Sequence, residues 1–392
     1  MSKGGLANAV PECYNAERMM EMLYNLTLTT NAEIPWLFPV AFALFGACVG
    51  SFLNVVIYRM PLGMSVSEPR RSFCPQCKKL IPWYLNLPII SWLVLRGRSA
   101  CCSQRISVRY WLVEVACAAL FAFLAWWFAH DNVLTVALLC AWAALMLATF
   151  FMDWEQMVVM PSLTVGAAVC GLLTSALSPW VVSPMAQDAA DGVLAGLSGA
   201  LGGYVLFRLV GLLGRLLFGR KKADFARPQT WSVRQSDDGE DIVLQLGDTT
   251  FMWSDLFMER ANRMVLKGAT EQKYLKESGD IILCAEAMRL PDGTEVSLES
   301  VQQLSGTCSG YAARKEAMGS GDAWIALAIG ALCGWSGVIF ALVVGSVIGI
   351  LAAAVARIGR GVPMPFGPAL ITAAFIWLIY GVGNWELYLI YH

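Results

Sequence analysis

The chain has 392 residues, 57% of them hydrophobic, with a mean hydropathy of +0.57 and only 15% charged residues. Soluble domains carry about 25% charged residues, so this composition argues against a single soluble core. A net charge of −1 leaves no basic surplus to neutralise phosphates, which argues against a nucleic-acid partner.

In chain order, residues 1–33 form a polar, weakly amphipathic tail. The tail lacks the basic-then-apolar order and the small-residue cleavage site of a signal peptide, so the first apolar run is expected to remain in the mature protein. Apolar runs follow at 36–58, 110–129, 133–151, 162–182, 192–213, 337–356 and 366–384, each close to the 20 or so residues a spanning helix needs. A shorter run, 323–334, precedes Trp335 and Ser336 and reads as a short or tilted span, or else as a re-entrant piece. The expected fold is an α-helical polytopic membrane protein of about eight transmembrane helices, in two parts, 34–219 and 317–392.

Between those parts lies residues 220–316, which holds about half of all the charges and reads as a soluble, mixed-β insertion. Strands are expected at Ile242–Leu246 and Thr250–Trp253. A hairpin is expected where Ile281–Leu290 meets Thr294–Leu298 across Pro291-Asp292-Gly293. The alternative is a partly ordered loop.

Loop charge sets the orientation. The segment 59–109 contains Arg59, Arg70, Arg71, Lys78, Lys79, Arg96, Arg98, Arg105 and Arg109 against a single acid, Glu68, so it is expected on the cytoplasmic side. Alternating the spans then places the N-terminal tail outside and Arg215, Arg220, Lys221, Lys222, Arg357, Arg360 and the whole insertion inside.

Carboxylates are costly in or near a bilayer, and few are present at span edges: Glu114, Asp153, Glu155 and Asp322. Asp153 ends the third apolar run and Asp322 opens the sixth, in Gly319-Ser320-Gly321-Asp322, at the same membrane face by the topology above. Two apposed carboxylates in a low-dielectric site share one proton, and such a pair can activate water against a peptide bond, as in aspartic proteases. Gly319 and Gly321 would allow close helix approach and a backbone that accepts an extended substrate. The bland alternative is that both aspartates only flank helix ends in interfacial water.

Of twelve cysteines, four cluster in the basic loop: Cys74 and Cys77 in a CxxC, then the adjacent Cys101 and Cys102. A reducing compartment disfavours disulfides there. Three or four thiolates around a structural zinc ion is one reading, and free thiols in a loop folded by its Trp and Pro residues is the other.

With these pieces in place, the sequence resembles the bacterial type IV prepilin peptidases of the GxGD aspartyl protease group. The resemblance rests on Gly50–Arg59 with Pro61 and on the run from Cys74 to Glu114. It rests also on Glu316–Asp322 and on Pro363-Met364-Pro365-Phe366-Gly367-Pro368. Departures are visible too. Ser99 stands where the family has its third loop cysteine, Cys102 fits the fourth, and Cys101 is an extra neighbour. After Asp153, Val159-Met160-Pro161-Ser162 differs from the family's Leu-Pro-Asp stretch, and the insertion before Asp322 is absent from the usual compact enzyme.

The resemblance implies an inner-membrane endopeptidase using Asp153 and Asp322. It would cut the basic leader of type IV prepilins or type II secretion pseudopilins after a Gly. It further implies methylation of the new N-terminus with S-adenosylmethionine, to which Glu114 and the cysteine loop would contribute; an ion pair with a loop arginine is the simpler account of Glu114. Two other classes are an inactive scaffold of pilus or secretion assembly and a proton- or ion-coupled transporter. The transporter predicts acids strung along a path through the bilayer rather than gathered at one face.

Overall fold

The structure is a computed structural model. It describes the chain apart from residues 1–24, 26–32, 69–71, 75–76, 129–130, 219, 236–241, 248, 258–262, 272–278, 285–286, 298–302, 315–318, 357–363 and 392. Most of the N-terminal tail, Arg70, Arg71, Glu316-Ala317-Met318, Arg357, Arg360 and Pro363 therefore lie outside the described residues.

The apolar runs fold as helices. They are α1 (Leu37–Arg59), α2 (Val108–Trp127), α3 (Val133–Gln156), α4 (Pro161–Leu177), α5 (Ala189–Phe218), α6 (Ser320–Val355) and α7 (Gly367–Tyr391). Helix starts follow local chemistry. The Ser107 hydroxyl accepts from the Arg109 amide at the head of α2, and the Asn132 side chain accepts from Leu134 at the head of α3. Pro161 occupies the first turn of α4, where its missing N–H costs nothing.

Among the described residues, α1, α2, α3, α5 and α6 are long and apolar enough to cross a membrane, while α4 and the apolar part of α7 are shorter. The chain is a multi-pass, mostly helical membrane protein with a separate β region. The run 162–182 is broken: α4 ends at Leu177, and a short turn, Pro179–Val182, follows. The runs 323–334 and 337–356 are joined into α6, but its backbone leaves helical geometry at Gly334, with φ 63° and ψ −166°. Glycine alone takes that conformation without steric cost.

The chain divides into two compact units, Met1–Val205 with Gly321–His392, and Leu206–Ser320. In the helical unit α1 packs along α2, and α3 packs against α4 and α7. The indole Nε1 of Trp142 on α3 donates to the Ala328 carbonyl of α6 at 3.1 Å, within the buried interior.

The second unit contains an eight-stranded antiparallel sheet in the order β3-β2-β1-β8-β4-β5-β6-β7. The strands are β1 (Arg220–Gln235), β2 (Ile242–Leu246), β3 (Thr249–Met252), β4 (Arg263–Glu271), β5 (Gly279–Leu283), β6 (Ala287–Arg289), β7 (Glu295–Ser297) and β8 (Gln303–Arg314). Trp231, Leu244, Leu266, Ile281 and Leu283 form its buried core. The expected single strand 281–290 is two strands, β5 and β6. The expected turn is present: the Thr294 amide bonds the Asp292 side chain, and Gly293 has φ 86°. The long strands β1, β4 and β8 are additions to the sequence reading. Pro228 sits inside β1, where the pairing with β8 shifts register between Asp224 and Gln229, so no ladder hydrogen bond is lost to it.

Candidate active site and metal centre

Asp153 lies in the last turn of α3 and Asp322 in the first turn of α6; they are 6% and 8% exposed. Three contacts bring those helix ends together. The Trp142–Ala328 bond ties α3 to α6. Asp153 lies eleven residues after Trp142 on α3, and Asp322 six residues before Ala328 on α6, at the ends that the next two contacts join. At that end a Cβ on Gly321 would lie 2.7 Å from Val159, so α6 starts hard against the segment that follows Asp153. Gly319, by contrast, is exposed.

The third contact involves Gly367, the first residue of α7. Its backbone N–H donates to Oδ2 of Asp153 at 2.9 Å, in a buried setting. A Cβ there would stand 2.5 Å from that same oxygen and 2.6 Å from Ile325, one turn beyond Asp322. Gly367 thus wedges between Asp153 and the first turns of α6, and no larger residue fits. The carboxylate sits at a helix N-terminus, where free N–H groups and the helix dipole favour negative charge. Sequence reading noted Gly367 only as part of a matching motif; its position between Phe366 and Pro368 was the one available signal. Glu155, two residues past Asp153, is taken up by Arg109 at 2.8 Å.

The basic loop folds around its cysteines as two copies of one turn, 25 residues apart. Phe73 bridges Leu80, and Arg98 bridges Arg105. The amide of Cys74 bonds the Lys79 carbonyl and that of Lys78 bonds the Cys74 carbonyl; Ser99 with Gln104 and Ser103 with Ser99 repeat the pattern. Lys78 and Ser103 both take positive φ, 59° and 55°. Ser99 therefore stands in the place of Cys74, and Cys102 in that of Cys77.

All four sulfurs nonetheless converge. Cys74 and Cys102 are 3.7 Å apart, Cys77 and Cys101 3.2 Å, and the whole set lies within 4.8 Å. Tetrahedral coordination with metal–sulfur bonds of about 2.3 Å needs sulfur–sulfur edges of about 3.8 Å, so the four thiols fit a metal ion. Cys101 supplies the sulfur that Ser99 lacks, and the Ser99 hydroxyl lies 2.9 Å from it. The Lys79 amide favours the Cys77 thiolate, but the Cys101 thiol, desolvation and the thiols of Cys74 and Cys102 together push it up to about 11. A divalent cation among the sulfurs reverses that balance.

Glu114, on α2, is apart from the aspartates. One carboxylate oxygen accepts from the Ile89 amide at 2.6 Å, and the Ser51 hydroxyl bonds it as well. No arginine pairs with it among the described residues. Ile89 has φ 65° and ψ −52°, and the Ile90 amide closes back on the Pro88 carbonyl at 2.6 Å. This is a γ-turn of the strained, positive-φ kind, costly for a β-branched residue, and it leaves the Ile89 N–H to point outward.

Comparison with known proteins places these features. Residues 44–128 match the model of the bacterial peptidase A24 N-terminal domain, and residues 288–354 match the type IV leader peptidase family. The first segment holds the cysteines and Glu114, the second holds Asp322, and Asp153 lies outside both. Curated relatives named prepilin leader peptidase/N-methyltransferase include those of Myxococcus xanthus, Pseudomonas putida and Klebsiella pneumoniae. The Myxococcus protein is 36% identical over 196 residues, covering 49% of this chain and 55% of the relative. The Pseudomonas protein is 35% identical over 212 residues, covering 49% and 67%. The Klebsiella protein is 36% identical over 196 residues, covering 48% and 84%. The alignment thus spans little more than half the length of the Myxococcus relative. No solved structure matches. These alignments are enough to identify it: the chain belongs to the prepilin leader peptidase/N-methyltransferase family.

Proposed function

We propose that the chain removes the short basic leader of a type IV prepilin or pseudopilin and then methylates the exposed α-amine. The observation that carries the peptidase reading is the pair of buried aspartates, Asp153 at the end of α3 and Asp322 at the start of α6, with Gly367 packed against both Asp153 and Ile325. Water attacks the scissile carbonyl; one carboxylate takes its proton and the other protonates the leaving amine. The pair titrates as a unit, so neither role belongs to one residue. The Gly367 N–H holds Oδ2 of Asp153 and so fixes how that carboxylate turns.

The membrane arrangement we propose has eight spans, with α4 and α7 added to the five long helices and α6 counted twice. Helix α6 has 36 residues, about 54 Å at 1.5 Å per residue, against a hydrocarbon thickness of about 30 Å. The break at Gly334 divides it into a short piece bearing Asp322 and a full-length piece. The nine basic residues of 59–109 put that loop, the insertion and the aspartates on the cytoplasmic side of the inner membrane. A leader that stays cytoplasmic, followed by an apolar segment among the helices, presents its scissile bond at that boundary.

The ion of the cysteine loop is zinc in this reading, held by Cys74, Cys77, Cys101 and Cys102. It ties the two turns together and takes no part in cleavage. One zinc per purified chain is expected, falling below one half in Cys77→Ser/Cys101→Ser.

Asp153→Asn and Asp322→Asn are each expected to lower leader cleavage on the order of 10³-fold, with insertion into the membrane unchanged. A purified prepilin incubated with each variant and resolved by mass gives the answer. Cleavage that survives either change sinks the pair.

A further inference from the structure

Two charges near Asp153 have no part in the cleavage reading. Arg109 is the second residue of α2, and Glu155 is the last but one of α3. Nη1 of Arg109 donates to Oε2 of Glu155 at 2.8 Å, with the two side chains 11% and 34% exposed. The same guanidinium lies over the Tyr110 ring, 4.5 Å from its centroid, so it has a carboxylate and an aromatic face as partners.

Helix electrostatics make this pair a poor choice for the stability of either helix. A helix N-terminus favours negative charge and a C-terminus positive charge. Arg109 brings a cation to the first turn of α2, which has no acid. Glu155 brings an anion to the last turn of α3, which has no basic residue. Each charge sits at the wrong end of its own helix, and the contact between them offsets both. Such a pair serves the join between two helices.

The last turn of α3 gives that join a purpose. Asp153 stands two residues before Glu155, and the helix ends at Gln156. The capping residue is Met157, whose N–H bonds the Asp153 carbonyl at 2.9 Å. Met157 takes left-handed backbone, φ 53° and ψ 35°, where glycine is the usual residue and a side chain carries a steric cost. Helix ends fray, and this one is closed by a residue that disfavours the closing geometry. The Gly367 N–H meets the Asp153 carboxylate, whereas the Arg109–Glu155 bond ties the turn itself to α2.

We propose that Arg109 and Glu155 are positioning residues for leader cleavage. Their bond holds the last turn of α3, and with it the Asp153 carboxylate, in place for attack on the scissile bond. The proposal rests on the peptidase reading above. Neither residue is assigned a contact with the substrate or a proton.

The test is steady-state cleavage of a purified prepilin by the full chain in detergent. Arg109→Gln and Glu155→Gln should each lower kcat on the order of tenfold, with KM changed by less than about twofold. The double variant should be no slower than either single one, because all three lose the same bond. The reversed pair, Arg109→Glu with Glu155→Arg, restores the attraction and puts each charge at the end its helix favours, so kcat should recover to within about threefold of the wild type. Amide exchange at 153–157 should speed up in the single variants and slow again in the reversed pair. If a single variant does not fold, the reversed pair decides by its own kcat. A raised KM with kcat unchanged makes the pair a leader-binding site and overturns the proposal. Additive losses in the double variant, or a folded reversed pair as slow as the single variants, overturn it too. Full activity in both single variants, with Asp153→Asn inactive, overturns the positioning role and leaves the peptidase reading standing. A wild-type chain that cuts no prepilin removes that reading and the positioning role with it.

Discussion

The helical unit turns large aliphatic side chains outward as well as inward, and it packs small ones into its interior beside Ile57, Leu139 and Trp142. Leu44, Ile350 and Val355 are 67%, 70% and 85% exposed, while Ala143, Ala167, Ala328 and Ala373 are fully buried. The sheet unit differs at its surface, with Trp231, Leu244, Leu266 and Ile281 inside and its charges outside. The same chain is solving two solvation problems. Lipid tails are as apolar as leucine, so helices in a bilayer gain from close backbone approach, not from hiding large side chains. In water the apolar area itself drives burial.

The contrast can be attacked directly, and the largest effect is expected where small residues meet. Gly199 and Gly330 face each other with no room for a Cβ on either; one on Gly199 would stand 2.5 Å from the Gly330 carbonyl oxygen. Gly330→Leu should therefore prevent assembly of the helical unit, seen as loss of a monodisperse species in detergent and of leader cleavage together. A monodisperse, active variant would show that small residues are not what holds these helices.

In the sheet the opposite change is the damaging one. Leu266→Ala empties a fully buried position and should cost about 2–5 kcal/mol. Faster amide exchange confined to the strands, with cleavage intact, would bear this out. Exchange that accelerates in the helices as well would mean that the two units do not unfold separately.

Between these lies a small residue set against the Asp153 carboxylate. Gly367→Ala pushes a methyl group into the carboxylate of Asp153 and should lower cleavage about 10²-fold, the usual scale for a misplaced catalytic group. Unchanged turnover would detach Gly367 from the mechanism. The smallest pair of effects compares the two outer surfaces. Val343→Asp puts a charge on the exposed side of α6 near the centre of its second piece, at about 2.5–3.5 kcal/mol. Thr249→Asp, exposed on the edge strand β3, should fall within about 0.5 kcal/mol. Protease protection of the inserted chain reads the first, and thermal unfolding the second.

The helices were legible because a spanning segment announces itself by length and hydropathy alone. Run 133–151 differs from α3 mainly in the last turn, where Asp153 and Glu155 lower the average without ending the helix. The broken geometry of α6 was half visible: Trp335 and Ser336 interrupt the apolar run, but the distorted residue is Gly334. Strands β1 and β8 were hidden because Arg220, Lys221, Lys222, Asp224 and Pro228 give β1 no alternation to detect, and its partner is some ninety residues away. Local patterns singled out Asp153, Asp322 and the CxxC as candidates. They could not carry the Gly367 bond, which spans 214 positions, or the convergence of Cys101 with its neighbour Cys102, which depends on the shape of a turn.

The pairing of β1 with β8 has one more consequence. Arg220 sits opposite Arg314 and Lys222 opposite Ala312, so the chain enters and leaves the sheet at adjacent positions. A host segment sees such a module as a short loop, whatever its content. The sheet is thus portable: one excision or one splice at that stem removes or adds it whole. That makes the stem a natural seam for grafting reporters, tethers or foreign domains onto the chain.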